Sequence, residues 1–324
     1  MALPDMAPDK AVAPDPLPVR MLVRHITELT LARRHRWRSI YPLDRFAGVV
    51  FSVIVGECLH RQPFRDPDTG MWIGTQDAQV THRGVSATAI ARSMGIPATT
   101  ARRVLAQLTD WGLIARQGER IAITNAFAAD ARIAAICREG VHDMARALAT
   151  LATSDYRPAA EALAVLQRVP PGIVDRLLLG LEIRIMETFI AMYGDITSGM
   201  IVSAIVAANV QHITQDPALA LRYAGEDQLP PDEQRRPITL RAAARSIDLP
   251  YETVRRRAAA LFADGTLSAS GDGVIVPSAI LAQARFSDTN RAFAIRFVRM
   301  LGELVALSAT DPHASAPVPE TDAG

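Results

Sequence analysis

The sequence has few cysteines, a single lysine and almost no net charge. The two cysteines, Cys58 and Cys137, are far apart and show no paired spacing, which indicates neither a disulfide framework nor a zinc site. A net charge of +1 excludes a generic polycation, so any contact with nucleic acid has to come from local basic patches. Lys10 is the only lysine, a bias that we attribute to genome composition rather than to phosphate recognition.

Hydrophobic runs long enough to cross a bilayer are also lacking. The two longest candidates, residues 46–55 and 196–210, are shorter than the roughly 20 residues that a membrane-spanning helix needs. The N-terminus has no apolar core of a signal peptide. We therefore predict that both runs form buried core helices, and that the protein is cytoplasmic and does not contact a membrane.

Motifs for catalysis or cofactor binding are absent from the sequence as well. It contains no GxGxxG fingerprint, no P-loop and no nucleophile elbow. Cys58 and His60 are two residues apart on a predicted helix and therefore point to different faces. His142 and Asp143 form an isolated pair, which is typical of a polar helix face. The sequence predicts no enzyme activity, no metal site and no cofactor.

The sequence does contain a segment that occurs twice in similar form. Residues 90–123 have the pattern of a helix, a sharp turn, a second helix and a β-hairpin, and residues 243–276 align with them without a gap. Arg102 aligns with Arg255, a shift of 255 − 102 = 153. The helices before the motif continue the alignment at a shift of 176 − 24 = 152, as shown by Arg24 and Arg176. An internal duplication therefore covers nearly the whole chain outside its ends.

The duplication predicts the domain organisation. Both ends are rich in proline, alanine and acidic residues, which is typical of disorder. The predicted segments are a disordered leader (1–17), a first winged-helix repeat (18–151), a linker (152–169), a second repeat (170–304) and a disordered tail (305–324). The predicted fold is mainly α with small β-wings, in which the two tandem winged helix-turn-helix repeats form an intrachain pseudo-dimer.

Local signals predict the limits of the first motif. Ser86 is a plausible N-cap of the first helix, and Gly95 ends it in the left-handed conformation. Pro97 opens the second helix and Gly112 ends it. The wing is predicted at 113–116 and 120–124, and one long helix is predicted at 127–151.

The candidate DNA contacts lie opposite the apolar stripe of the second helix of each motif. A helix reads the major groove only when a rigid turn holds it at the right angle, and its outer face then needs hydrogen-bond donors. Threonines suit phosphates, and arginines can bind a guanine edge in two places. The candidates are Thr99, Thr100, Arg102 and Arg103 with the wing residues Arg116 and Arg120, and in the second copy Tyr251, Thr253, Arg255, Arg256 and Arg257.

A basic run at the end of the first predicted helix is a second candidate. Its four arginines are Arg33, Arg34, Arg36 and Arg38. They could lie along the DNA backbone. They could equally form a solvated helix end, where cations are favourable near the C-terminal pole.

The second copy carries a weaker basic face than the first. Glu252, Asp264 and Asp272 offset its three arginines, and its hairpin contains no arginine. We expect it to bind DNA weakly, or mainly to complete the pseudo-dimer.

Residues 95–116 resemble the recognition segment of bacterial winged-helix regulators of the MarR and GntR kinds. The shared features are a small-residue turn, a threonine, an arginine, spaced leucines and a closing Gly-Leu; here they are Gly95, Thr99 and Thr100, Arg102, Leu105 and Leu108, and Gly112-Leu113. The second copy departs from the pattern at Asp248 and Thr266. The resemblance implies two fused subunits that bind double-stranded DNA sequence-specifically and regulate transcription as a repressor. A small-molecule effector and a homodimer of the whole chain are left open.

Two other functions fit tandem winged helices. A plasmid-type replication initiator also carries two in one chain and binds repeated sites in its own replicon. A scaffold protein uses winged helices to bind a protein partner and does not bind DNA.

Overall fold

The computed structural model describes residues 17–41, 45–59, 62–66, 71–74, 86–118, 120–128 and 130–309. This part of the chain is mainly helical, and its two small sheets each contain two antiparallel strands. The predicted disorder of the leader and of the tail beyond residue 309 lies outside the described residues.

The first half of the chain contains six helices and one hairpin in the described residues. They are α1 (Val19–Ile40), α2 (Arg45–Leu59), α3 (Ala87–Ser93), α4 (Ala98–Asp110), β1 (Ile114–Gln117), β2 (Arg120–Ile123), α5 (Asn125–Ala128) and α6 (Ala131–Ala152). The connection to the second half contains α7 (Arg157–Val165) and a 3₁₀ turn at Leu166–Arg168.

Among the described residues, the elements of the second half follow the same order, with two short ones in addition. It contains α8 (Pro171–Tyr193), α9 (Ile196–Gln215), α10 (Pro217–Arg222), a 3₁₀ turn (Asp232–Gln234), α11 (Leu240–Ser246), α12 (Tyr251–Ala263), β3 (Ser268–Ser270), β4 (Gly273–Ile275), α13 (Ser278–Leu281) and α14 (Ala284–Ala309). The additions are α10 and the 3₁₀ turn, which lie where the first half has its long polar connection.

The helix-turn-helix of the first half forms where local signals predict it. The Ser86 hydroxyl caps α3 by accepting a hydrogen bond from the Ala89 amide at 3.2 Å. Gly95 and Gly112 follow the two helices with φ of +60° and +69°, a conformation that a side chain disfavours. Pro97 is the N-cap of α4, where a missing amide hydrogen has no consequence.

The structure differs from the sequence expectation in three segments. The predicted helix 127–151 is two helices, because Asp130 caps a new one, α6, by accepting from the Arg132 amide at 2.9 Å. The predicted linker contains α7, which buries Ala159 and Ala162 against its neighbours. The predicted disordered tail begins inside a helix, since α14 continues to its last residue, Ala309, and buries Leu304.

Packing divides the chain into two compact units. One unit comprises Met1–Glu28 and Met200–Arg299, and the other comprises Leu29–Gly199 and Met300–Gly324. These units do not coincide with the predicted repeats, because α8 belongs to the unit that contains α2 to α6. A repeat is defined by sequence and a unit by contacts, so the repeat boundaries stay a prediction.

An aromatic cluster anchors the first winged helix in its unit. The Trp37 ring of α1 stacks on the Phe127 ring of α5 at 5.9 Å between centroids. Phe51 of α2 meets Phe127 edge to face at 5.0 Å. All three side chains are buried, and aromatic pairs of this kind add to the stabilisation that comes from burying their area. The end of the wing is thereby attached to α1 and α2.

One described helix, α9, is long and apolar enough to cross a membrane by length and composition alone. In its most apolar window, 67% of the residues are buried inside the structure. A buried core helix of a soluble protein passes the same test, so this helix is weak evidence for a membrane span.

Candidate nucleic-acid interface

Helix α4 presents a polar face that is held in place by a buried stripe. Ala101, Val104, Leu105 and Leu108 form the stripe and are buried. Thr99, Arg102 and Arg103 are exposed on the other side, and Thr100 is half-buried. The structure therefore brings the four residues predicted for α4 onto one helix with donors directed away from the core.

The turn before α4 is fixed from both sides. Met94 and Ile96 bury their side chains next to Gly95. A Cβ added at Gly95 would lie 3.1 Å from the carbonyl oxygen of Gly194, which follows α8. This close approach places the end of α8 behind the turn and limits the angle at which α4 can leave it. The sequence predicts the glycine from its conformation but not this second reason for it.

The wing of the first half is a four-residue antiparallel ladder. Gln117 pairs with Arg120 at its tip, and Gly118 turns the chain with a φ of +66°. Arg116 is exposed on β1, and its cross-strand partner is the buried Ile121 of β2. The hairpin leaves Arg116 accessible to solvent and starts its second strand at Arg120.

Helix α12 has the same construction with a different polar face. Val254, Ala258 and Leu261 are its buried stripe. The predicted contacts differ in exposure: Arg255 and Arg256 are exposed, while Tyr251, Thr253 and Arg257 are half-buried. The half-buried position of Arg257 agrees with its alignment to the buried Val104, because a long side chain can lie along apolar surface and keep its head in water.

Glu252 forms an ion pair with Arg255, one of the residues predicted to contact DNA. Its Oε2 atom accepts hydrogen bonds from the Nε atom of Arg255 at 2.9 Å and forms an ion pair with the Nη2 atom at 2.8 Å. Both side chains are mostly exposed, so the pair adds little to stability. Nearby, the guanidinium of Arg241 on α11 lies 4.8 Å from the centre of the Tyr251 ring.

The second wing is shorter and is braced differently. Its strands pair over three residues, and Ile238 forms an additional bridge to Val274. A Cβ added at Gly273 would lie 2.8 Å from Pro237, so this glycine is needed for close packing. Ala269 is exposed where the first wing has Arg116, a shift of 269 − 116 = 153. This wing therefore offers no cation at that position.

Two of the four arginines in the basic run of α1, Arg33 and Arg36, are buried. Neither of the two predicted environments, the DNA backbone or a solvated helix end, fits a buried guanidinium. The side chain of Arg33 is 3% exposed and binds both oxygens of Asp175, at 2.9 and 3.0 Å, and Glu182 at 2.6 Å. Arg34 binds the other oxygen of Glu182 at 2.6 Å. Burial by itself lowers the pKa of Arg33, but the two carboxylates outweigh it and raise that pKa. A phosphate cannot reach this guanidinium.

Arg36 is also unavailable to DNA. It is buried and forms an ion pair with Asp143 of α6, and its burial lowers the pKa of the guanidinium. Asp143 is therefore the partner of a buried arginine rather than part of a polar surface. Arg38 is half-buried, and its role at the backbone stays a prediction.

Two arginines that the sequence alignment pairs, Arg24 and Arg176, both donate hydrogen bonds to backbone carbonyls in the structure. Arg24 of α1 donates from Nη2 to the carbonyl oxygens of Ala220 at 3.1 Å and Tyr223 at 2.6 Å. Arg176 of α8 donates to the carbonyl oxygens of Leu59 at 3.0 Å and Ile73 at 3.0 Å. Leu59 and Ala220 lie in the last turns of α2 and α10, where carbonyls lack partners within the helix and a cation binds them favourably. Both arginines bind backbone rather than nucleic acid.

Groups that could hold a metal ion are not found among the described residues. No cluster of three or more histidine, cysteine, aspartate or glutamate side chains occurs in this part of the chain. Cys58 and Cys137 are free thiols, and burial raises the pKa of each.

Comparison with protein families shows that residues 80–118 are similar to the IclR helix-turn-helix domain. The matched segment contains α3, α4 and β1. It supports a winged helix-turn-helix DNA-binding domain in the first half of the chain and a role in regulating transcription. Comparisons with curated proteins and with solved structures give no significant match.

Proposed function

We propose that this protein is a sequence-specific, double-stranded DNA-binding repressor of transcription. The observation that carries the proposal is the face of α4: exposed Thr99, Arg102 and Arg103 on a helix whose other side is buried, inside the segment that matches a DNA-binding family. Repression needs only that the protein occupy a promoter. We place the protein in the bacterial cytoplasm, at the nucleoid.

We further propose that the two halves are duplicated repeats that act as a pseudo-dimer. The elements follow the same order in both halves. Arg24 and Arg176 align at a shift of 152, and each binds the chain that follows the second helix of the other half, Arg24 at Ala220 and Tyr223 and Arg176 at Gln62 and Ile73. Thus α1 contributes its first turns to the unit of α12, and α8 belongs to the unit of α4. Such reciprocal exchange is a common property of two-fold dimers.

The first test is selection of bound fragments from random duplex DNA, followed by titration with salt. We expect a site with two related halves and a steep loss of affinity with salt, because neutralised phosphates release counterions. Enrichment of repeated sites clustered in a replication origin would favour the replication initiator. Failure to enrich any sequence would reject the proposal in favour of a scaffold.

The second test assigns the interface by mutation. Replacing Arg102 and Arg103 by alanine should weaken binding at least about tenfold and reduce the slope against salt by about 2, since each arginine contributes one charge contact. A double replacement of Arg255 and Arg256 should weaken binding less, because Glu252 already pairs with Arg255.

Exposed arginines outside the interface provide the control. Arg146 and Arg157 are 81% and 87% exposed, and their double replacement removes the same charge. Equal losses from all three double variants would show that net charge, and not the face of α4, determines the affinity.

A further inference from the structure

The first turns of the two recognition helices differ at two equivalent positions, one of which is exposed in both helices. Glu252 of α12 corresponds to Thr99 of α4, since 252 − 153 = 99, and Tyr251 corresponds to Ala98. The arginine that follows is the same in both helices, Arg102 and Arg255. One helix therefore offers a neutral hydroxyl beside its arginine and the other a carboxylate.

We propose that Glu252 is a specificity-determining residue that makes the DNA site of this protein unequal in its two halves. In the half read by α12, Glu252 selects a cytosine and Arg255 a guanine. In the half read by α4, Thr99 imposes no such choice. This inference rests on the proposed DNA-binding function and specifies which bases the second half recognises.

The geometry of the pair supports recognition rather than stability. Glu252 and Arg255 are three residues apart and lie on the same face of α12. Their side chains are 70% and 61% exposed, so water screens the ion pair and the fold gains little from it. The pair lies on the side opposite the buried stripe of Val254, Ala258 and Leu261. It therefore occupies the part of the helix that enters the groove.

The chemistry of the pair is selective for bases. A carboxylate repels phosphates but accepts a hydrogen bond from the exocyclic amine of cytosine, and a guanidinium donates to the acceptors of guanine. Glu252 binds the Nε and Nη2 atoms of Arg255, which orients the guanidinium and leaves Nη1 and the second Nη2 hydrogen for a base. A carboxylate in this position penalises any base that cannot donate to it.

The wing of the second motif also has fewer cationic side chains for phosphate contacts than the wing of the first motif. It carries Ala269 where the first wing carries Arg116. With fewer contacts to the backbone, this half depends more on the bases that it reads. Unequal wings and unequal recognition helices both predict an asymmetric site.

The experiment compares the full-length wild type with Glu252→Thr, which installs the residue of the first helix, and with the reciprocal Thr99→Glu. Each is used to select duplexes from a random pool, and affinities are measured for the selected site and its single-base variants. Glu161→Thr is the control, because Glu161 is an exposed acid that pairs with Arg157 on α7, outside both motifs.

We expect the wild type to select two unequal halves. Glu252→Thr should reduce the discrimination at one position of the second half by about 5- to 150-fold, the range for a single base contact, while total affinity rises or stays equal. Thr99→Glu should introduce a cytosine preference into the first half. The control should change neither half.

Two results would overturn the inference while the proposed function stands. They are selection of two identical halves by the wild type, and an unchanged base preference after Glu252→Thr. Failure of the wild type to enrich any sequence would overturn both the inference and the proposed function.

Discussion

A basic side chain in a sequence has no fixed meaning until its partner is known. Arg33 and Arg34 look like phosphate contacts, yet they bind Asp175 and Glu182 in the interior of their unit. Charges are costly to bury, and an ion pair compensates this cost only when its geometry is good and its hydrogen bonds are complete. Arg33 meets this condition with three hydrogen bonds to carboxylates.

We expect Arg33→Met to reduce the free energy of unfolding by about 3–5 kcal/mol, because it leaves two carboxylates buried without their main partner. Denaturant unfolding of the variant and the wild type measures this loss.

The comparison variant is Arg146→Met, at an exposed position of α6, which should change stability by less than about 0.5 kcal/mol. A similarly small loss for Arg33→Met would contradict the buried ion network.

At the scale of elements, glycine controls the turns of the helix-turn-helix, and two glycines with the same conformation have different roles. Gly95 and Gly112 both have positive φ. A Cβ at Gly95 would approach the carbonyl oxygen of Gly194 to 3.1 Å, whereas at Gly112 it would meet nothing within 4 Å. In the second half Asp248 takes the place of Gly95 with a φ of +53°, which aspartate tolerates better than most residues.

We expect Gly112→Ala to cost about 1–2 kcal/mol, the penalty for a side chain in the left-handed region. Gly95→Ala should cost more, because the same penalty applies and the end of α8 must also shift. Thermal unfolding of both variants measures the difference. Equal losses would show that α8 does not support the turn.

At the scale of the whole molecule, the contact between α1 and α8 joins two helices whose buried side chains carry opposite charges. All of its buried cations are on α1 and its buried anions on α8. In the proposed duplication, the positions aligned with these four charges at a shift of 152 carry uncharged residues: Ile185 for Arg33, Met186 for Arg34, Val23 for Asp175 and Thr30 for Glu182. Two copies of α1, or two of α8, would therefore leave charges without partners.

We expect the wild-type chain to keep one oligomeric state across a wide range of concentration, because pairing between like helices is disfavoured. Replacing all four charges by their equivalents (Arg33→Ile, Arg34→Met, Asp175→Val, Glu182→Thr) removes that penalty and should allow dimers to form with concentration. Light scattering coupled to size-exclusion chromatography measures the mass. An unchanged mass in the fourfold variant would show that the charges do not select the partner.

The sequence alone determined what depends on neighbouring residues. The apolar stripe of α4, the cap at Ser86 and the glycines at the turns act over one or two helical turns, so their pattern is sufficient to predict the helix-turn-helix and its wing. The face that carries Thr99 and Arg102 follows from the same helical period.

The tertiary structure decided what depends on distant residues. The partners of Arg33 lie 142 and 149 residues away along the chain, and those of Arg24 lie 196 and 199 residues away. A long cationic side chain is equally suited to water, to phosphate, to a carboxylate or to a helix end. The fold determines which of these groups lies within hydrogen-bonding distance of the cation. The local sequence pattern does not predict that partner.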